Sequence, residues 1–318
     1  MYTEPIFLLP YFQERIWGGQ KLHDEFQYTI PYEKTGEAWV ISAHPNGPSK
    51  ISNGPLEGKT LKDAWENNGE LFNKEADNTE AFPLLVKILD ANDDLSVQVH
   101  PDDTYAREVE DEPYGKTECW YVLSAEPGAE IIFGHHATTR EELTKMIDEG
   151  NWDQFLRRVP VSAGDFVYVP SGTIHAIGKG IVILETQQSS DITYRVYDYD
   201  RKDKDGNGRQ LHLEPSKEVT SVPHETPTLS QETTVEEGLT SRRLVQEKYF
   251  TVYHWELEGS VTKRLDVDFL QVSVIEGEAE INVGNKAFSI KKGDHFILPA
   301  TITGYKVEGN ASFIVSHT

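Results

Sequence analysis

A frame that recurs at a fixed distance constrains this chain more than any other feature. Gly164-Asp165-Phe166-Val167-Tyr168-Val169-Pro170 leads, five residues on, to His175, and Gly293-Asp294-His295-Phe296-Ile297-Leu298-Pro299 leads to Gly304. The offset is the same at each fixed position (293 − 164 = 299 − 170 = 304 − 175 = 129). A glycine turn, a short apolar strand and a proline stop, used twice, predict two copies of one β-architecture. Loss of the histidine from the second copy predicts that only the first carries chemistry.

The flanking strands extend the repeat. Phe269 to Val283 reads as two strands around Glu276-Gly277, and its counterpart is Cys119 to Leu123, a turn at Glu126-Pro127-Gly128, then Ile131-Ile132-Phe133. Aligning Leu123 with Ile275 gives an offset of 152, so the first copy holds about 23 additional residues before Gly164 (152 − 129 = 23). Ala137 to Arg158 accounts for them and reads as helical. Thr139 with Glu142 forms a capping box, Leu143, Met146 and Ile147 give an apolar face, and Trp152, Phe155 and Leu156 repeat that spacing. A second short helix is expected over Thr60 to Asn67, with Leu61 and Trp65 on one face. The polar, proline-containing stretch Val222 to Thr240 reads as a linker. The expected organisation is therefore mainly β: a barrel with short helical insertions over 1–221, a linker over 222–240, and a second barrel over 241–318.

Composition limits the partners. A formal charge of -23 makes nucleic acid and anionic membrane surfaces repulsive, whereas a local basic pocket can still attract a small anion, because fields are screened over about 8 Å. The single cysteine, Cys119, excludes an internal disulfide framework, and no apolar run approaches the ~18 residues of a membrane span. A soluble, cytoplasmic protein is expected.

The chemistry is concentrated on a few strands. Leu95 to Asp102 alternates, so Gln98 and His100 share a face two residues apart, which is how a strand presents two ligands. Glu118 heads the next strand after Gly115-Lys116-Thr117, and His175 closes the repeated frame. One amide oxygen, two imidazoles and one carboxylate would hold a divalent ion with positions left open, as a catalytic site requires.

These residues resemble the cupin superfamily, whose second motif, Gly-x5-Pro-x-Gly-x2-His, is matched without exception by Gly164 to His175. The first motif departs: Gln98 stands where many cupins have histidine, and Glu118 lies eighteen residues beyond His100 (118 − 100 = 18). That departure, with Gly172-Thr173-Ile174-His175-Ala176, the string Glu185 to Arg201 and the opening Phe12 to Gly19, resembles type I mannose-6-phosphate isomerase in its short bacterial form. The resemblance runs end to end and implies two cupin jelly rolls, the second metal-free. It implies one zinc ion on Gln98, His100, Glu118 and His175, an active-site arginine at Arg195, and roles in proton transfer or sugar binding for Lys116, Asp191 and Glu185. The substrate would be a phosphorylated hexose, mannose 6-phosphate converting to fructose 6-phosphate, with the chain a monomer or homodimer. Where long-form members carry an aromatic after His-Ala, this chain has Ile177.

Elementary chemistry agrees with that reading. Aldose–ketose interconversion moves a proton between adjacent carbons through an enediol, so a redox-silent Lewis acid suffices. Arg195 and Lys116 supply positive charge, and Asp191 and Glu185 are candidate proton carriers provided that burial raises their pKa. The base stays open among these two and Lys116. Two histidines and a glutamate also compose the triad of iron oxygenases, so a metal-dependent cupin dioxygenase is the enzymatic rival, and a non-enzymatic sugar-binding cupin is the third possibility. Other signals carry less. Asp203 to Glu214 satisfies a calcium-loop pattern but follows a strand and has Gln210 at an apolar position, so a polar hairpin loop is expected. His135 and His136 face opposite ways on a strand, Cys119 faces away from Glu118 into the core, and His295 is expected to serve packing.

Overall fold

The computed structural model describes residues 2–75, 77–202 and 206–318. Its strands form antiparallel sheets of nine, six and five strands. The six-stranded sheet runs Phe166–Val169, Glu118–Ala125, Ile181–Gln188, Leu84–Ala91, Thr35–Ile41, Tyr11–Gly19. The five-stranded sheet runs Tyr194–Tyr197, Val97–Val99, His175–Ile177, Glu130–His135, Leu156–Pro160. Leu89, Trp120 and Ile183 of the first pack with Leu95, Phe133 and Ile177 from the side of the second, so the two sheets face each other across one buried layer. This is a cupin jelly roll built as two facing sheets rather than one closed hydrogen-bonded barrel.

The expected helices form. Leu61–Asn67 begins at Thr60 with a reciprocal box: Asp63 donates its N–H to the Thr60 hydroxyl at 3.0 Å, and Thr60 donates its own to Asp63 Oδ2 at 2.9 Å. The insertion folds as Arg140–Asp148 and Trp152–Phe155, burying Leu143, Ile147 and Phe155. Its capping box is only half made. Thr139 accepts from the Glu142 N–H at 3.2 Å, but the Glu142 carboxylate reaches past the cap to the Thr138 N–H at 2.7 Å, where it also gains the Thr138 hydroxyl at 2.8 Å.

The nine-stranded sheet holds the second copy. Its central strands are Thr251–Arg264, Phe269–Val283 and Gly304–His317, and its edges come from elsewhere. Glu232–Glu236, within the segment 222–240, pairs with Leu239–Gln246, while Ile6–Leu9 pairs with His295–Pro299 in the register Ile6 to Ile297. Phe269–Val283 is one continuous strand and not the expected two. At Glu276-Gly277 the chain bulges instead of reversing: pairing skips Ile275, and Gly277 sits at φ +73°, where a Cβ would lie 2.2 Å from the Asn310 carbonyl oxygen.

The repeat holds at atomic detail. Leu123, aligned with Ile275, is likewise the residue skipped between Ser124 and Val122. Gly164 and Gly293 adopt φ +90° and +92°, and each turn is tied by the following aspartate: Asp165 accepts from the Ser162 N–H and Asp294 from the Lys291 N–H, both at 2.8 Å. The interiors differ. Trp255, Phe296 and Phe313 help to fill the second copy so closely that a void of only about 20 Å³ remains. Outside it, Phe250, Phe269 and Ile314 pack with Cys119 and Tyr121 of the six-stranded sheet in a shared core. Cys119 thus faces away from Glu118.

His295 serves packing, as expected. It is fully buried, with Nδ1 2.8 Å from Ser273 Oγ and Nε2 2.7 Å from the Tyr28 hydroxyl. Burial depresses its pKa to about 3. Below pH ~6.5 the unfolded chain therefore binds a proton that the folded chain refuses, so this group's contribution is intact above that pH and is lost toward pH 3. We expect stability to fall between pH 6 and 5 by on the order of 1 kcal/mol more in the wild type than in His295→Gln. Denaturant midpoints at the two pH values measure this, and equal slopes would contradict it.

Candidate active site

Glu118, His100 and His175 meet between the two facing sheets. Glu118 heads its strand in the six-stranded sheet, His175 opens its strand in the five-stranded sheet, and His100 lies one residue beyond Val97–Val99. All three are buried, and one ligand atom from each lies within 4.8 Å of the others. His175 Nε2 is 3.3 Å from Glu118 Oε1, and His100 Nε2 is 3.5 Å from Glu118 Oε2. His175 donates its Nδ1–H to the Thr173 carbonyl at 2.8 Å, which leaves Nε2 as a bare lone pair. That Nε2 has no hydrogen-bond partner among the described residues, and Glu118 Oε2 has only the Lys116 ammonium beside it, at 3.2 Å. Burial lowers the pKa of both imidazoles, His175 to about 4, with the Lys116 charge acting in the same direction. Two neutral imidazoles and a carboxylate, converging with unpartnered buried atoms, are a donor set that fits a divalent metal.

Around this cluster the sheet register sets a row of charged groups. Glu185 stands opposite Lys87 on one side and Trp120 on the other, and Lys87 stands opposite Trp39. The Trp120 indole N–H is shared between Glu118 Oε1 at 3.0 Å and Glu185 Oε2 at 3.1 Å, so one donor fixes two carboxylates. Lys116 Nζ lies 3.1 Å from His100 Nε2 and 3.2 Å from Glu118 Oε2. Burial alone would lower its pKa, but Glu118 and then Glu185 raise it, so the buried ammonium stays charged. Glu185 is raised by burial and then by Glu118, against the opposing charges of Lys87 and Lys116. Its Oε1 lies 3.4 Å from Lys87 Nζ, with no hydrogen bond of good geometry. Glu37 is buried too, yet Lys87, Arg15 and the Trp39 N–H hold its pKa low.

Lys87, Lys116, Glu185 and Glu37 open on a cavity of about 510 Å³, lined also by Gln98, Arg195 and Asp191. Arg195 pairs in register with Gln98, and its guanidinium donates to the Gln210 carbonyl at 2.8 Å and to Ser96 Oγ at 3.3 Å. Asp191 departs from the burial condition: its side chain is 40% exposed and accepts from Asn46 Nδ2 at 2.6 Å. Of the two candidate carboxylates only Glu185 is buried. Ile177 lines the wall. Sequence reasoning missed Lys87, Glu37, Arg15 and Arg209, which line the same cavity. Lys87 had left a signal, a lone lysine within the otherwise apolar run Leu84-Leu85-Val86-Lys87-Ile88-Leu89. Of the calcium-like loop, Asp203, Lys204 and Asp205 lie outside the described residues, and an antiparallel bridge joins Lys202 to Gly208. His135 is buried with Nε2 2.9 Å from the Ser221 carbonyl oxygen, whereas His136 is exposed, so the pair diverges.

Fold and site together define a cupin-fold protein with a buried, metal-capable centre next to a cavity lined by several basic residues. Known proteins narrow that class. Residues 6–137 match the family model for the catalytic domain of type I phosphomannose isomerase, and 240–318 match that for the cupin domain of mannose-6-phosphate isomerase. Mannose-6-phosphate isomerase ManA of Bacillus subtilis is 53% identical over 320 residues, covering 100% of both chains, and the enzyme of Streptococcus mutans is 52% identical, covering 99% of both. The crystal structure of the mannose 6-phosphate isomerase from Bacillus subtilis superposes with a TM-score of 0.96 at 48% identity, over 100% of each chain. This chain belongs to the type I mannose-6-phosphate isomerase family, and it is by that membership an aldose–ketose isomerase. The dioxygenase and the sugar-binding cupin are thereby set aside.

The Lys87–Glu185 pair is almost completely buried, so removing one partner strands the other. We expect Lys87→Met to destabilise the fold by about 3–5 kcal/mol at neutral pH, with Lys87→Met/Glu185→Gln recovering most of the loss. Denaturant midpoints of the wild type, Lys87→Met, Glu185→Gln and the double variant give the coupling. Additive losses would show that the two groups act independently.

Proposed function

We propose that this chain interconverts mannose 6-phosphate and fructose 6-phosphate by a proton transfer between C1 and C2 through an enediol, with a divalent ion, zinc, as its cofactor. The observation that carries the reading is the buried His100/Glu118/His175 cluster, with Lys116 in contact with it and lining the adjoining cavity together with Glu185. Gln98, on the adjoining wall, would complete the ligand set. Zinc bound there would supply a redox-silent Lewis acid for the neighbouring hydroxyl and carbonyl oxygens.

The protein's own groups perform the remainder. Glu185 faces the cavity with an oxygen free of hydrogen bonds and carries the proton between the two carbons. Trp120 holds its other oxygen, so the carboxylate keeps one orientation while it changes protonation. Lys116 and Arg195 stabilise the negative charge that develops on substrate oxygen, a contribution that grows in a water-poor site. Asp191, at the exposed rim, contacts the sugar and does not move the proton. We place this activity in the cytoplasm, which suits a single, buried, unpaired cysteine. No described helix is long and apolar enough to cross a membrane.

Two variants separate the roles. His175→Ala is expected to lose both bound metal and turnover. Arg195→Ala is expected to retain its metal while turnover falls about 10²- to 10³-fold, the range for loss of one charge-stabilising donor. Elemental analysis with a coupled assay for fructose 6-phosphate reads both. Loss of metal from the Arg195 variant, or iron with oxygen uptake in the wild type, would contradict the assignment.

A further inference from the structure

Three carboxylates line the cavity, Glu37, Glu185 and Asp191, and they are held in different ways. Arg15 pairs with Glu37 at 2.8 Å and Lys87 with Glu185 at 3.4 Å, so each of these acids has its own cation. Asp191 has none: among the described residues no lysine or arginine lies within ion-pair distance of it. Its Oδ2 instead accepts from the Asn46 side-chain amide at 2.6 Å, across 145 positions of sequence, and its Oδ1 lies 3.8 Å from His44 Nε2. His44 is buried, and burial holds its pKa below the usual histidine value, so the ring is neutral at pH 7. Its Nδ1 accepts the Asn46 backbone N–H at 3.2 Å, which leaves the ring proton on Nε2, the nitrogen facing Asp191.

Both supports are themselves braced. The loop after Thr35–Ile41 is closed by the Ser49 N–H donating to the Ser42 carbonyl at 2.8 Å and the Gly47 N–H to the His44 carbonyl at 3.0 Å. His44 packs edge-on against Trp39, ring centres 5.5 Å apart, and a Cβ at Gly47 would lie 2.7 Å from the Tyr11 ring, so the loop is pressed onto the sheet. The turn after Ile181–Gln188 is held by the buried Gln187, whose amide donates to the Gln188 and Ser190 carbonyls, both at 2.7 Å. Leu84–Ala91 lies between the two strands that lead into these segments, so the contact of Asn46 with Asp191 spans its first residues.

We infer that Asn46, oriented by His44, is a positioning residue that fixes the Asp191 carboxylate at the cavity rim so that it accepts from the uncharged hydroxyls of the sugar chain. The inference rests on the isomerase reading above. An aspartate that is 40% exposed exchanges rotamers unless something holds it, and ordering it only when the ligand arrives weakens binding. A lysine or arginine would hold it as well, but would neutralise it. The Asn46 amide fixes the carboxylate and leaves its charge intact, and a charged acceptor makes the stronger hydrogen bond to a hydroxyl. One amide hydrogen occupies one of about four acceptor positions on the two oxygens, so the others remain for the ligand. Asn46 lines the cavity beside Asp191, which places the whole device within reach of the sugar.

The test compares metal-loaded wild type, Asn46→Ala, Asn46→Asp, Asp191→Ala and the double variant Asn46→Ala/Asp191→Ala, assayed on mannose 6-phosphate and titrated calorimetrically with fructose 6-phosphate. Asn46 is exposed, so its replacement leaves the core intact. Asn46→Ala is expected to raise KM and the dissociation constant about 3- to 10-fold with kcat within about twofold, because the contact it supports is made equally in ground and transition states. Asn46→Asp sets a second carboxylate against Asp191 and is expected to weaken binding further. In the Asp191→Ala background, Asn46→Ala is expected to change neither constant, since the residue acts only through Asp191. Equal losses in both backgrounds, a lower kcat at unchanged KM, or an Asn46→Asp protein that binds as the wild type does would each overturn the inference. A wild type that bound fructose 6-phosphate without converting it would count against the isomerase reading instead, and the binding cycle would still decide the role of Asn46.

Discussion

A carboxylate with no exposed surface, Glu118, is the constraint on which the catalytic half of this molecule depends. An ionised acid costs several kcal/mol to bury unless it is paired and hydrogen-bonded. Its compensation comes from both sheets at once: Lys116 and Trp120 from its own chain segment, His100 and His175 from the facing sheet. The sheets must therefore pack in one register, and that register also brings Glu185 to the same indole N–H. Two carboxylates sharing a donor beside a buried ammonium cannot be relaxed by solvent. Such preorganisation distinguishes a site from a polar patch.

What the sequence disclosed follows from how each signal is written. Strand alternation and a turn glycine are local, so the repeated frame, the insertion and the cluster of His100, Glu118 and His175 were legible, down to the 152-residue offset that pairs the bulges at Leu123 and Ile275. Lys87 and Arg209 were not, because each acquires its role from a strand or turn distant in sequence: Lys87 from Glu185 across the sheet, and Arg209 from Asp198 and Arg195. Glu276-Gly277 misled because a glycine at positive φ serves a bulge as well as a hairpin, and only the partner strand decides which. The exposure of Asp191, which lines the cavity, was not legible for a related reason. Burial depends on what packs above a residue, and nothing adjacent in sequence reports that.

The two copies show what the metal-capable site requires beyond a scaffold. Both keep the glycine turn, the aspartate that ties it and the bulge opposite. In the first, the space between sheets is left to charged groups that must satisfy one another. In the second it is filled by Trp255, Phe296 and Phe313, leaving no room for a ligand. Polar groups opening on a cavity do less to hold sheets together than close-packed apolar side chains do. The outer face of the strand Glu118–Ala125 meets this need, since Cys119 and Tyr121 pack with Phe250 and Phe269 of the second copy. The filled copy thus braces the strand that carries Glu118.

Electrostatics connects that arrangement to the substrate. A chain with a formal charge of -23 repels anions at long range, so an anionic sugar must be attracted by a field confined to the cavity. With a screening length of about 8 Å, cations lining a concave wall dominate the potential inside it while distant surface carboxylates contribute little. Most of the lining cations are consumed by their own carboxylates, and that pairing keeps the floor near neutrality and suited to proton transfer. Arg195 is balanced differently: it lines the same cavity, and its guanidinium donates to the Gln210 carbonyl and Ser96 Oγ and not to a carboxylate among the described residues. An arginine without a carboxylate of its own lets the cavity attract an anion without raising the ammonium count beside Glu185, where further positive charge would lower the proton affinity that the reaction uses.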